Sequence, residues 1–265
     1  MPVIKINDFE IYYEIYGEKN KIPLVLIMGL GSDLSGWILQ IPDFSKKYRV
    51  IAFDNRDVGR TSKTDVSYTF DTFAEDTNHL LEKLRVEKAH ILGISMGGMI
   101  AQAFALRHHE KVRSLILCAT TPRGSKGLSI LTIWKELIKI VPRELFIKEN
   151  LIWAFTRETL ENKDTVDMIV EALANYPYIQ PPEAFIRQCN AIESFDVIER
   201  LNEINAPTLV LVGDRDILTP IWYAEEIASR IPNAELKVLH GCGHGLNFEK
   251  VNELNKIVLD FLEKH

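Results

Sequence analysis

His90-Ile91-Leu92-Gly93-Ile94-Ser95-Met96-Gly97-Gly98-Met99-Ile100 is the stretch on which the reading of this chain turns. A short apolar run meets Gly93, a serine follows two residues later, a second glycine two residues beyond that, and an apolar segment with small residues begins at once. This is G-x-S-x-G set between a strand and a helix, the setting of a nucleophile elbow. The bare pentapeptide is common, so the strand before it and the helix after it carry the information. The glycines answer a steric demand, because the turn holds Ser95 at strained dihedrals and side chains at 93 and 97 would collide with the neighbouring strand and helix. The hydroxyl is thereby pushed into the open. A helix opening at Ser95 also aims its partially positive end and the Met96 N–H at any negative oxygen formed there, which supplies half an oxyanion hole.

A serine hydroxyl is a weak nucleophile near neutral pH, so a base must take its proton and a further group must orient that base. Downstream, Gly213-Asp214-Arg215-Asp216 ends the apolar run Thr208 to Val212, and Gly241-Cys242-Gly243-His244 follows the run Leu236 to Leu239. Both lie at strand ends, where parallel-sheet proteins build their sites. Of the seven histidines only His244 has such a setting. His79, His90, His108, His109, His240 and His265 read as structural.

The rest of the chain supplies a frame for these motifs. Val3 to Ile6 and Ile11 to Tyr16 alternate apolar and polar residues around Asn7-Asp8, predicting an antiparallel hairpin in place of a signal peptide. Leu24 to Met28, Val50 to Phe53, His90 to Leu92 and Leu115 to Cys118 are continuously apolar, as strands covered on both faces are. Thr72 to Leu84 and Met96 to Leu106 read as crossover helices, so the sheet is parallel. From about Thr121 to Asn202 the alternation stops. Helical stretches near Ile130 to Ile140, Glu144 to Phe155, Val166 to Leu173 and Glu183 to Ile192 predict a helical insertion. Strands resume at Pro207 to Val212, with a helix capped by Thr219 and started by Pro220. A final amphipathic helix, Phe248 to Leu262, closes the chain.

Composition narrows the partners. The 31 basic and 37 acidic residues are interspersed and leave a net charge of −6, so no basic stripe is present for nucleic acid or an anionic membrane. The longest apolar region, Leu128 to Val141, contains Lys135, Glu136 and Lys139, which excludes a membrane span. Cys118, Cys189 and Cys242 are odd in number and lack metal-ligand spacing, which points to a reducing cytoplasm and to no metal site. No phosphate or dinucleotide loop follows Gly97-Gly98.

With these motifs assembled, the chain resembles the α/β-hydrolase superfamily, in which the three reacting groups run in the order Ser, Asp or Glu, His. The likeness rests on Met28-Gly29-Leu30-Gly31, Asp54-Asn55-Arg56 through Gly59, the elbow, the insertion, Gly213 to Asp216, and Gly243-His244. It implies an α/β fold: a mostly parallel, doubly wound eight-stranded sheet, one domain over residues 1–265, with a helical cap inserted at about 121–202. It implies a triad of Ser95, Asp216 and His244, with Leu30 giving the second oxyanion N–H beside Met96, and no cofactor. Asp214 is then left to bond backbone N–H groups of its own loop. Met28 stands where many relatives have His, and Asp57 where many have Gly; neither change removes a reacting group. The Met-Gly-Leu-Gly and Asp-Asn-Arg-Asp stretches are similar to the branch of methylesterases, enol-lactonases and haloperoxidase-like esterases.

The activity this resemblance implies is hydrolysis of carboxylic esters of small or medium apolar acids or alcohols through an acyl-enzyme. Lactone, thioester, carbon–carbon and perhydrolytic chemistry are variants on the same scaffold. A small-molecule receptor or carrier without turnover is the alternative of another class. Serine at the elbow argues against haloalkane dehalogenase and epoxide hydrolase, which use Asp there. The partner is a small ester or lactone, and the resemblance implies no particular oligomeric state. Trp134, Trp153, Phe155 and Tyr178 either roof an apolar substrate pocket or form the insertion's own core. Asp54 and Arg56 read as a loop-bracing ion pair, with Gly59 as a turn glycine.

Overall fold

The continuously apolar runs become the interior strands of a single sheet. The computed structural model describes residues 2–6, 9–125 and 127–265, so the Asn7-Asp8 turn lies outside the described residues. The strands are β1 (Val3–Ile6), β2 (Phe9–Tyr16), β3 (Pro23–Ile27), β4 (Arg49–Phe53), β5 (Ala89–Ile94), β6 (Val112–Cys118), β7 (Thr208–Gly213) and β8 (Ala234–Leu239). They pair in the order β1-β2-β4-β3-β5-β6-β7-β8. The β1–β2 and β2–β4 pairs are antiparallel, and every pair from β4 to β8 is parallel.

Side-chain alternation divides these strands between two cores, one on each face of the sheet. Val25, Ile27, Ile91, Leu115, Leu117, Val210 and Val212 share one core with Phe73, Leu80 and Leu81 of α2 (Phe70–Lys83) and Ile100 and Phe104 of α3 (Met96–Arg107). Leu24, Leu26, Leu92, Ile94, Ile116, Leu209 and Leu211 share the other with Phe44 of α1 (Ile41–Phe44) and with Leu254, Val258 and Phe261 near the C-terminus. Both faces are covered, which is why these strands are apolar throughout rather than alternating.

Between β6 and β7 the described residues form five α-helices: α4 (Ile130–Ile140), α5 (Arg143–Ala154), α6 (Arg157–Glu161), α7 (Lys163–Ala174) and α8 (Pro182–Ser194). Four match the predicted stretches; α6 is too short to leave a periodic signal. Ile147, Leu151 and Val170 form a small core of their own with Phe155 and Leu160, while Trp134 and Phe185 join the core beneath.

Two local readings are corrected. The helix after β7, α9 (Ile221–Arg230), is capped by Pro220 and not by Thr219, because the Thr219 hydroxyl is engaged with Asp216 and His244. The last helix is two: α10 (Leu246–Glu249) and α11 (Val251–Leu262), broken where Lys250 adopts φ −129° and ψ 44°. Among the described residues no helix is long and apolar enough to cross a membrane.

His90 on β5 is 1% exposed, bonded through Nδ1 to Ser114 Oγ at 2.7 Å and met edge-on by Tyr48. Burial, with like charge from Arg113 and His265, pushes its pKa down from 6.5 to about 4. Between those values the unfolded chain binds a proton that folded His90 refuses. Stability tied to this site is therefore full above pH 6.5 and is lost as pH falls toward 4. Urea unfolding at pH 7 and pH 4.5 is expected to show wild type losing about 2 kcal/mol more than His90→Asn across that interval. Equal pH dependence in the two proteins would refute this assignment.

Candidate active site

Ser95 joins β5 to α3 at φ 55° and ψ −122°, outside the regions a serine normally occupies, at a cost of about 1–3 kcal/mol. Packing enforces it. A Cβ at position 97 would lie 2.1 Å from the Ile27 carbonyl oxygen on β3, and one at position 93 would lie 2.1 Å from the Gly97 carbonyl oxygen. No side chain fits in either place. The Ser95 N–H donates to the Cys118 carbonyl at 2.9 Å, and the Ser95 carbonyl accepts from the Gly98 N–H at 2.9 Å and the Thr120 hydroxyl at 2.7 Å. The turn is tied to β6 as well as to its own helix, with the Ser95 side chain left partly exposed.

The loop after β3 runs beside the elbow: a Cβ at Gly29 would stand 3.1 Å from the Ser95 Cβ. Leu30 follows. Among the described residues neither the Leu30 nor the Met96 N–H has a hydrogen-bond acceptor. Two buried amides hold this loop. Asn55 Nδ2 donates to the Met28 carbonyl at 2.9 Å. Gln188 of α8 accepts the Gly31 N–H at 3.1 Å and donates to the Arg56 carbonyl at 3.0 Å.

Past β7 and β8 the remaining groups converge. His244 Nδ1 lies 2.9 Å from Asp216 Oδ2, and the Asp216 carboxylate also accepts the Leu218 and Thr219 N–H groups and the Thr219 hydroxyl. Burial pushes the Asp216 carboxyl up, but His244 beside it and the hydrogen bonds from His244 and Thr219 together outweigh burial and hold it below the usual range. Asp214 is turned elsewhere: it accepts the Gly241 N–H at 2.7 Å and meets His240 Nδ1 at 3.0 Å. Its backbone partner thus lies in the loop after β8 and not in its own loop. Ser95 and His244 do not form a hydrogen bond in this structure.

The ion pairs around Asp54 also differ from the expected one. Asp54 pairs with Arg60 at 3.0 Å and Arg56 with Asp76 at 2.6 Å, because the turn at Gly59, φ 53°, brings Arg60 back over the buried Asp54 carboxylate. Asp57, at φ 72°, pairs with Arg187 of α8 at 2.7 Å. Burial pushes the thiols of Cys118, Cys189 and Cys242 up to about 12, so they are poor nucleophiles.

The four aromatic candidates separate. A cavity of about 470 Å³ is bordered by Leu128, Ile130, Ile133, Trp153, Ile217 and Leu218, the last two directly after Asp216. Trp153 faces it. Trp134 is buried with its indole N–H on Glu149, Phe155 packs edge-on against Phe248, and Tyr178 is 40% exposed beside Tyr176. A second cavity, about 510 Å³, is lined by Phe9, Arg56, Lys63, Asp76 and His79; neither cavity has Ser95, Asp216 or His244 in its lining. Asn55, Gln188 and Thr219 brace these loops without a sequence signal that marks them as doing so. Asn55 falls inside the Asp54-Asn55-Arg56 stretch and Thr219 has the local signature of a cap, but nothing in the sequence marks Gln188.

Comparison with known proteins agrees with this architecture. The family profile described as alpha/beta hydrolase fold matches residues 22–251. A protein of Stutzerimonas stutzeri named for carbamate hydrolysis, RutD, is 26% identical over 262 residues, covering 95% of this chain and 96% of that one. The enol-lactonase of Burkholderia xenovorans LB400 superposes with a TM-score of 0.90 at 28% identity, covering 99% of this chain and all of that one. The meta-cleavage product hydrolase CumD of Pseudomonas fluorescens IP01 superposes at 0.85 with 26% identity over 100% and 98% of the two chains. With a family match over most of its length and the eight-stranded sheet in place, the chain belongs to the alpha/beta hydrolase fold family.

Proposed function

We propose that this hydrolase cleaves carboxylic esters of small or medium apolar acids or alcohols through an acyl-enzyme on Ser95. The observation that carries the reading is the backbone of Ser95, held at φ 55° beside two N–H groups that have no acceptor among the described residues. Strain of this kind persists where the surrounding structure over-determines it, and it clusters at reacting centres.

His244 takes the hydroxyl proton as Ser95 Oγ attacks the ester carbonyl. The electron pair of the carbonyl moves to oxygen, where the Leu30 and Met96 N–H groups receive it. Collapse expels the alcohol, protonated by His244, and water repeats the sequence to release the acid. Asp216 fixes the imidazole tautomer and stabilises its cation, and its lowered pKa keeps it ionised for that role. The helices at about 121–202 act as a cap on a single domain. The cavity lined by Trp153, Ile217 and Leu218, with Ser125 and Ser129 among its apolar residues, lies next to the Asp216 loop and offers room for an apolar acyl or alkyl group. Three buried unpaired thiols fit a reducing cytoplasm.

A second reading has its own support: RutD is named for carbamates and the Burkholderia enzyme is an enol-lactonase. Both bonds are opened by the same attack on a carbonyl, so the machinery above serves either, and the substrate panel must contain both.

Nitrophenyl esters of increasing acyl length, a phenyl carbamate and an enol lactone are to be assayed as initial rates. Ester turnover by wild type is expected to fall by roughly 10³-fold or more in Ser95→Ala. Undiminished rates would sink the mechanism, and saturable binding without turnover in wild type would favour a receptor. Asp216→Asn is expected to lower kcat by about 10³–10⁴-fold, whereas Asp214→Asn stays within about threefold of wild type. The reverse order would move the acid to Asp214.

A further inference from the structure

Glu249, at the end of α10, has a carboxylate shared between two segments distant in sequence. Its Oε2 accepts the Gly243 N–H at 2.6 Å, immediately before His244. Its Oε1 accepts the Thr156 N–H at 2.9 Å and the Thr156 hydroxyl at 2.7 Å, in the turn joining α5 to α6, and the Thr159 hydroxyl at 2.5 Å, in the first turn of α6. Among the described residues Glu249 forms no ion pair, so its charge is met by four neutral donors. Such charge-assisted hydrogen bonds are short and roughly twice as strong as neutral ones.

The residue on the other side of His244 is held by the same turn. The Gly245 N–H donates to the Ala154 carbonyl at 2.7 Å, and the Phe155 ring fills the space a Cβ at Gly245 would need. Phe155 also meets Phe248 of α10 edge-on. His244 is therefore bracketed: Gly243 reaches the insertion through Glu249, and Gly245 reaches it directly.

We infer that Glu249 is a positioning residue for His244, fastening the base's loop to the α5–α6 turn. This rests on the reading of His244 as base. An imidazole that must take a proton from Ser95 and return it to the leaving group tolerates little displacement, since a shift of about 1 Å is worth on the order of 10²-fold in rate. Asp216 orients the ring; Glu249 sets the height and direction of the backbone that carries it.

Two variants test the role. In Glu249→Gln the amide nitrogen faces a donor on one side, so one arm of the bridge is lost. The Thr156→Val, Thr159→Val pair removes the two hydroxyl donors and leaves the Gly243 bond intact. Both are assayed with the nitrophenyl ester that wild type turns over fastest, kcat being expressed per site titrated by a fluorophosphonate. The expected result is a kcat per titrated site lowered by about 10–100-fold with KM within about threefold. Unchanged kcat per titrated site, with only a lower melting temperature, would overturn the inference and leave Glu249 a structural strap. If Glu249→Gln does not fold, the threonine pair decides alone. Ser95→Ala, which has no serine to titrate and is assayed as rate per mole of folded protein, separates the two levels: full activity there defeats the proposed mechanism, whereas its loss beside an unaffected Glu249→Gln defeats only this inference.

Discussion

Everything around the site depends on how closely α3 passes β3. The Ile27 carbonyl lies where a Cβ of residue 97 would be, and the Gly97 carbonyl lies where a Cβ of residue 93 would be. Strand, turn and helix are thereby compressed into a space that admits only backbone, and Ser95 is left in a conformation it would not choose alone. The sheet supplies the restoring force. β5 is buried along its whole length and paired on both sides, and the Ser95 N–H and carbonyl are spent on Cys118, Gly98 and Thr120. Relaxing the turn would break that packing, which costs more than the strain it relieves.

The helices between β6 and β7 reach into the sheet domain at two points beside the candidate reacting groups. On one side Gln188 accepts the Gly31 N–H and Arg187 pairs with buried Asp57, tying α8 to the loops after β3 and β4. On the other, the α5–α6 turn grips the loop that carries His244 through Glu249 and Gly245. An insertion that only roofed a pocket would not need a carboxylate with four donors or a buried glutamine bonded to two loops. These contacts give the insertion a part in holding both halves of the proposed machinery.

How much of this was legible in the sequence follows from which interactions are local. The interior strands announced themselves because both faces are buried, and the elbow because its glycines answer a local steric demand. Asp216 and His244 stand out as candidates because each lies in the loop that follows an apolar strand. The bonds that fix the site could not. Gln188 reaches Gly31 across 157 positions and Glu249 reaches Thr156 across 93, and nothing near either residue signals its partner. Thr219 was misread for a related reason: next to Pro220 it has the local signature of a cap, and only the tertiary approach of His244 redirects its hydroxyl to Asp216. The pairing of Arg60 with Asp54, where Arg56 was expected, likewise follows from the reversal at Gly59.

The central claim is that Ser95 becomes covalently acylated, and it is tested most directly by trapping that species. A nitrophenyl ester is mixed with enzyme, quenched in acid within milliseconds and digested, and the peptides are weighed. The account predicts one acyl group per chain on the peptide carrying Ser95, appearing with the first equivalent of nitrophenol and absent when Ser95 is replaced by Ala. An acyl group on another residue, or steady turnover with no acyl group on Ser95 at any quench time, would contradict it.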